Sequence, residues 1–520
     1  MRRGWKIALA VAPVLLVIGT IAVIRAEPIA KKILITSLSD KFKSNVQISS
    51  LHIVPGPVFY VTADSIVFTK RDSQGLPPLI KIKRISVEIS LANLFHRPVH
   101  IAHVRVTGLE IHIPPRNRPQ GVSQLADSQQ PVAASPPPKQ PKAAYPKFIV
   151  DEVDAPGAFL VMLPRKAGKL PLEFPIEQLK MSGVGVDQPA YYHAVLTNPK
   201  PVGQITADGE FGPWDADVPA ATPISGVYSF GHVDMGTIRG LGGTLSSNGQ
   251  FNGQLDNIHA TGHTDTPDFQ LRIAGNPMDL QTDFDAFIDG SSGDVHLDKV
   301  KALLGESIFN VTGEIVGTPG IQGRTINLST VAAGARLQDF LRLAVPEDHP
   351  LMTGVISLHS NVKIPPGEED ISRKLILDGA FDVGGAHFTE KKIQSKVDTL
   401  SRKGSGNPKD FDMGNVLSNM RGKFHLEKGV MRFSNLTFSV PSANVSLAGT
   451  YILQSGAMDF HGTLRLQAKL SQTTTGFKSL MLKPFDSFFS KKGAGTQVPI
   501  KISGTRNHPS FGLDFHNGRK

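Results

Sequence analysis

The chain has 520 residues with 50 Gly, 38 Pro and only 7% aromatics, a length that allows two to four ordinary domains or one elongated one, and a balance that favours short strands and turns over a helical bundle. It contains no cysteine, which excludes disulfides, thiolate zinc sites, iron–sulfur clusters and cysteine nucleophiles. The net charge of +10 is spread along the chain, and its densest runs, such as Lys31-Lys32 and Lys491-Lys492, are short; no nucleic-acid partner is expected, and anionic lipid head groups suit the charge at least as well.

Ile7 to Ile24 is an uncharged run, with Ile7, Leu9, Val14, Leu15, Leu16, Ile18, Ile21 and Ile24 among its large apolar residues. Eighteen helical residues span about 27 Å, close to the roughly 30 Å hydrocarbon thickness of a bilayer. Arg2, Arg3 and Lys6 precede the run, so a single-pass anchor is expected, with a cytoplasmic N-terminus and the bulk of the chain translocated, which in a bacterial envelope means an inner-membrane anchor and a periplasmic body. A cleaved signal peptide is the competing reading, but the run is long and Ile24-Arg25-Ala26 fits a small-x-small site poorly. Pro28 to Lys43 reads as a helix with Ile29, Ile33, Leu34 and Leu38 on one face, placed either on the membrane surface or against the first strands.

From Val46 strand patterns dominate. Ile85, Val87 and Ile89 alternate with Ser86, Glu88 and Ser90, giving one apolar and one polar face. Val104 and Val106 share one phase and Leu109, Ile111 and Ile113 the other, which places a β-bulge at Gly108. Residues 114–146 hold nine prolines and almost no large apolar residue, the composition of a disordered linker or long loop. The segments Gln204–Phe211, Gly243–Phe251, Gln254–Gly262 and Ser307–Val316 each read as a short strand ended by Gly, as in a meander that pairs each strand with its sequence neighbour. Helical pattern returns at Leu337–Leu343, Glu390–Arg402 and Gly476–Ser490, while Leu464, Leu466, Ala468 and Leu470 alternate as a strand.

Candidate chemical sites are few. His96, His100, His103 and His112 lie near one another in sequence, but the strand period sends His103 and His112 to opposite faces and no HExxH is present. Asp283, Asp285, Asp289 and Asp294 surround Gly290-Ser291-Ser292-Gly293 without the EF-hand spacing, so turn formation explains them. Gly242-Gly243 and Gly384-Gly385 read as turns, and there is no GxSxG, P-loop or GxGxxG before a helix. No catalytic residue, metal or cofactor is expected.

The stretch GNVLSNMRGKFHLEKGVMRFSNLTFSVPSANVSLAGTYILQSGAMDFHGTLRLQAKL, with Lys428-Gly429-Val430, Val440-Pro441-Ser442-Ala443, Leu447-Ala448-Gly449 and Asp459-Phe460-His461-Gly462, resembles the C-terminal region of AsmA-like proteins of the bacterial envelope. The closing run Val498 to Phe515 and the N-terminal order of anchor, strands and Gly108-Leu109-Glu110-Ile111 are similar to the same family. The resemblance covers Met1–Ile113 and Phe381–Phe515 and extends to the middle in style alone. It implies a mainly β fold, an elongated, curved antiparallel β-sheet forming a taco-shaped groove, with a few helices and one N-terminal transmembrane helix. It also implies phospholipid as ligand, outer-membrane components as further partners, and a role in outer-membrane lipid homeostasis, as in the related bridge-like lipid transfer proteins. The groove-wall positions are then Ile85, Val87, Ile89, Leu464, Leu466 and Leu470. The expected divisions are 1–26 (cytoplasmic tip and anchor), 27–113 (N-terminal helix and β module), 114–146 (Pro-rich linker), 147–380 (repetitive β body) and 381–520 (C-terminal β region with amphipathic helices). A β-sandwich with its apolar faces pressed together explains the same alternation; so a non-catalytic scaffold assisting outer-membrane protein assembly is the rival function.

Overall fold

The computed structural model describes residues 27–71, 75–90, 98–115, 148–164, 168–185, 188–199, 201–273, 275–409, 415–474, 483, 495–506 and 508–514. The expected anchor, the Pro-rich segment beyond residue 115, His96 and almost all of the expected helix at 476–490 lie outside these residues. Among the described residues no helix is long and apolar enough to cross a membrane.

The chain forms one long curved sheet with few helices. Residues 27–41 are helical (α1). They lead into β1 (Ser44–Val54), β2 (Val58–Lys70), β3 (Ile80–Ser90) and β4 (Val99–Ile113), each antiparallel to the one before. β5 (Phe148–Asp154) and β6 (Ala158–Met162) share one position in the ladder, both parallel to β4 and antiparallel to β7 (Leu172–Val184). A parallel step needs a long crossover, and the Pro-rich segment falls at this step. The ladder therefore runs unbroken across the segment expected to divide two modules.

From β7 the sheet is an antiparallel meander. β8 (Ala190–Pro199), β9 (Val202–Phe211) and β10 (Pro223–Asp234) follow, then the two-residue β11 (Leu241–Gly242) beside β12 (Thr244–Gln254) and β13 (Asn257–Leu271). Next come β14 (Met278–Asp289), β15 (Asp294–Leu304), β16 (Ser307–Gly317), β17 (Arg324–Arg336), β18 (Met352–Ile364) and β19 (Ile376–Phe388). The ladder closes with β20 (Ser418–Glu427), β21 (Val430–Val440), β22 (Ala443–Ile452), β23 (Ala457–Leu466), β24 (Thr496–Thr505) and β25 (His508–Leu513). At about 4.8 Å per strand the stack is on the order of 100 Å long. The expected division at 380/381 falls inside β19. Helices α2 (Leu337–Ala344), α3 (Ile371–Lys374) and α4 (Lys391–Gly404) fall in the β17–β18, β18–β19 and β19–β20 connections.

Three local expectations are corrected. The expected strand Gln254–Gly262 is interrupted at Leu255 and Asp256, whose N–H groups bond to Thr222 and Ala220, so β13 starts at Asn257. Gly384-Gly385 is no turn but a bulge inside β19, where the register against β20 shifts between Val383 and Ala386. Gly108 does take a φ of +64°, and the buried phase changes from Val104 and Val106 to Ile113. Yet the β3–β4 register does not slip there. Ser49, Ser65, Lys83 and Gly108 fall on one line across β1–β4, and every strand switches phase at it: Val46 and Ile48 to Leu51, Ala63 to Ile66 and Phe68. The extra residue is matched from strand to strand, which creases the sheet without breaking a pairing. The line continues through Gly157, φ +65°, between β5 and β6. It ends as a bulge at Glu177 between β7 and β8.

Candidate functional site

Strand alternation divides the sheet into an apolar and a polar face, and the register turns single alternations into long rows. One row on the apolar face runs from Tyr228 through Gly249, Gly262, Phe284, Val300, Val311, Thr330, Ser360 and Gly379 to Phe424, Phe433, Gly449, Phe460 and Ile502. It crosses β10 to β24 without a charged residue. No second sheet packs on it among the described residues, and while Val300, Val311, Ser360 and Phe460 are buried, the larger side chains Tyr228, Phe284, Phe424 and Phe433 of the row are only half-buried. In a sandwich such positions would be closed off by the facing layer.

Glycines keep this wall thin. A Cβ on Gly262 would lie 2.7 Å from the Tyr228 hydroxyl and 2.9 Å from Phe284 Cζ; on Gly379 it would lie 2.6 Å from Phe424 Cζ, and on Gly422 2.8 Å from Phe381 Cε1. The aromatic rings lie flat across neighbouring glycine positions instead of standing out from the sheet, the packing known to rescue strand glycines.

The two margins of the ribbon also touch one another. The loop before β7 meets the β14–β15 and β16–β17 turns: Lys169 Nζ lies 2.8 Å from Asp294, and the Gly320 N–H donates to the Gly168 carbonyl. Arg324 also reaches Asp294, at 3.1 Å. Arg239 donates to the Glu368 carbonyl at 3.0 Å, Arg506 pairs with Glu347 at 3.0 Å, and Lys43 pairs with Asp217. Apart from Arg324–Asp294, which ties two turns of the same margin, each contact joins opposite margins about seven strands apart, so the curl has the girth of a barrel of about eight strands, wide enough to be filled by side chains or to hold one small ligand. Burial pushes the Asp294 carboxyl up, but the Gly317 N–H and Lys169 outweigh it and hold the group below the usual carboxylate range.

The expected wall residues divide into two sets. Ile85, Val87 and Ile89 share one face of β3 and are half-buried; Ile85 and Val87 pack against the Val104 and Val106 cluster. Leu464 and Leu466 share a face of β23, but Leu466 is buried with Val397 of α4, Val440 and Ala443. Leu470 is not on a strand: β23 ends at Leu466, and Gln467 and Ala468 turn away to bond the Ser442 and Gly404 carbonyls. Leu470 opens a short 3-10 helix capped by Lys469 and Gln472.

The histidine and aspartate clusters dissolve into pairs. The phase switch at Gly108 puts His103 and His112 in the same phase, not on opposite faces as the plain period implies. His100 bonds Asp151 at 2.9 Å, while Asp285 and Asp283 bond His259 and His263 across the β13–β14 ladder at 2.7 and 2.8 Å. Asp289 accepts from the Ser291 N–H at 2.9 Å within its turn. Among the described residues no group of three His, Cys, Asp or Glu could hold a metal ion. A depression of about 480 Å³ between His296, Glu314, Asn327, Lys363 and Asp378 opens on the polar face.

Sequence reasoning missed a group of hydroxyls on the apolar face. Tyr228 and Ser247 lie 3.0 Å apart and Thr264 and Thr282 2.6 Å apart. Burial pushes the Tyr192 and Tyr228 phenols up. The available signal was Ser and Thr standing in the apolar phase of β12 to β14. Comparison with protein-family models, curated proteins and solved structures finds no match.

Proposed function

We propose that this chain is a membrane-tethered protein of the bacterial envelope that takes phospholipid acyl chains onto its apolar face and conducts them along it, supporting outer-membrane lipid homeostasis. The observation that carries the reading is the uncharged row from Tyr228 to Ile502, on which no second sheet packs among the described residues and which only α4 overlies in part, near Phe433 and Phe460. Two acyl chains of roughly thirty methylenes cost about 24 kcal/mol to expose to water at about 0.8 kcal/mol each. A carrier must replace that water with apolar wall, and a curled single sheet supplies wall along its whole length. Such a device needs no catalytic residue, cofactor or metal. The resemblance to AsmA-like proteins and the uncharged run Ile7 to Ile24 support the envelope setting, with the N-terminus in the inner membrane and outer-membrane components as further partners.

The test is direct. The full chain, gently extracted from membranes, should carry phospholipid detectable by mass spectrometry, and a photoreactive residue at Phe284 should label acyl chains. Protein-only labelling together with lipid-free material would overturn the reading.

One observation favours the rival scaffold role: the terminal strand β25 is exposed throughout, with Phe511 62% and Leu513 53% exposed. An open edge is a template for another strand. Crosslinks from residue 511 to an outer-membrane protein, with no lipid at residue 284, are the outcome that assigns this role instead.

A further inference from the structure

The row next to the long apolar one runs Phe230, Ser247, Thr264, Thr282 and Ala302 across β10, β12, β13, β14 and β15. Its hydroxyls interrupt an otherwise oily wall about midway along the ladder. Ser247 donates to the His263 carbonyl at 3.0 Å, which leaves its oxygen to accept from Tyr228. Thr264 and Thr282 have two O–H groups between them, and their mutual bond uses one. The other has no acceptor among the described residues. That O–H is half-buried on the apolar face and is free to donate to an acceptor that a ligand brings there.

The surroundings set the acceptor's chemistry. The apolar-phase positions of β12, β13 and β14 carry no charged side chain; His259, His263, Asp283 and Asp285 all sit in the opposite phase. A phosphate or carboxylate would be buried there without a counter-charge, a heavily penalised arrangement. A neutral carbonyl would not. The raised Tyr228 phenol is consistent with a site poor in water.

We propose that the Thr264–Thr282 pair, backed by Ser247 and Tyr228, is a subsite for the ester carbonyl of a fatty-acyl chain lying on the apolar face. The inference rests on the conduit reading above and adds to it a fixed resting point, where the acyl linkage stops against hydroxyls and the hydrocarbon runs on beyond. The same ester occurs in neutral glycerides and in phospholipids.

The test uses the full chain in an alkyl maltoside and two fluorescent probes with the same labelled chain, one a hydrocarbon and one its glycerol ester. The wild type should bind the ester roughly five- to tenfold more tightly, the share of one or two neutral hydrogen bonds. Thr264→Val with Thr282→Val, which keeps the β-branched shape, should erase that preference and leave hydrocarbon binding and the melting temperature unchanged. A preference that survives in the double variant overturns the subsite, and so does equal loss of both probes, which would make the pair a purely structural element. Wild-type protein that binds neither probe overturns the conduit reading beneath it. In a third arm, a phospholipid with the labelled chain should lose as much affinity as the glyceride. Loss confined to the phospholipid would place the contact at the phosphate and overturn the ester assignment.

Discussion

The two ends of the sheet are finished in different ways. At the N-terminal end, α1 covers both the edge and the apolar face of the first strands. Glu27 accepts from the Ile53 N–H at 3.0 Å, Ser39 from the Val46 N–H at 3.3 Å, and Lys31 donates to the Ser49 carbonyl at 2.8 Å, all on the free side of β1. Ala30, Ile35, Leu38 and Phe42 pack on the Val46, Ile48 and Phe68 cluster. At the C-terminal end, α4 lies over β19 to β22 instead, held by Gln394 to the Val416 carbonyl and by Ser401 to the Pro441 carbonyl. The edge of β25 stays exposed. A capped edge cannot recruit another strand and an open one can, so continuation of the sheet by a partner is expected at one end alone.

That contrast can be broken most forcefully through the C-terminal cover. Leu466→Glu puts a charge beneath α4 and should cost about 3 kcal/mol or more, measured by urea denaturation, whereas Val54→Glu, 59% exposed at the end of β1, should change stability by about 0.5 kcal/mol or less. Equal losses would show that α4 is not a true cover.

Gly108→Ala tests the creased N-terminal module. A Cβ there meets Lys83 Cβ at 2.7 Å with φ at +64°, so a loss of about 1–2 kcal/mol is expected. Hydrogen exchange should quicken in residues 44–113 and stay unchanged in residues 418–466.

Between the ends, the margin contact at Asp294 should respond to acid. Its carboxyl is held below its ordinary value, so its stabilisation is complete above that value and is lost as pH falls through the lower folded one. Asp294→Asn should flatten the part of the acid-unfolding curve below about pH 4. An unchanged curve would remove Asp294 from the seam.

The smallest effect on folding is expected at the open edge. Phe511→Lys should alter stability by about 0.5 kcal/mol or less while weakening any crosslinked partner at residue 511. A large loss of stability would mean that β25 is not a free edge.

Much of the strand pattern was legible because period-2 alternation reports a face directly: Ile85, Val87 and Ile89 share one, as expected. Helices over residues 337–343 and 390–402 were legible from their 3.6-residue period and are α2 and α4. Leu470 was misread because alternation continued past the end of β23, and only the bonds of Gln467 and Ala468 to distant carbonyls reveal the exit. His103 and His112 were misplaced because the plain two-residue period was carried across Gly108, although the apolar pattern itself changes phase at that left-handed residue. Lys169 and Asp294 are 125 residues apart in sequence, and no local pattern announces such a pair.

By itself, the sequence determined that the chain is mainly β, that most of its strands have one oily and one polar side, and that disulfides and cysteine chemistry play no part. These follow from composition and from a backbone period that each strand expresses alone. Only the tertiary structure decided that all strands join one ladder across the Pro-rich crossover, that the crease runs through successive strands in line, and that the margins meet about seven strands on. Those outcomes depend on register, accumulated twist and contacts between distant loops, which are properties of the assembled sheet and not of any one segment.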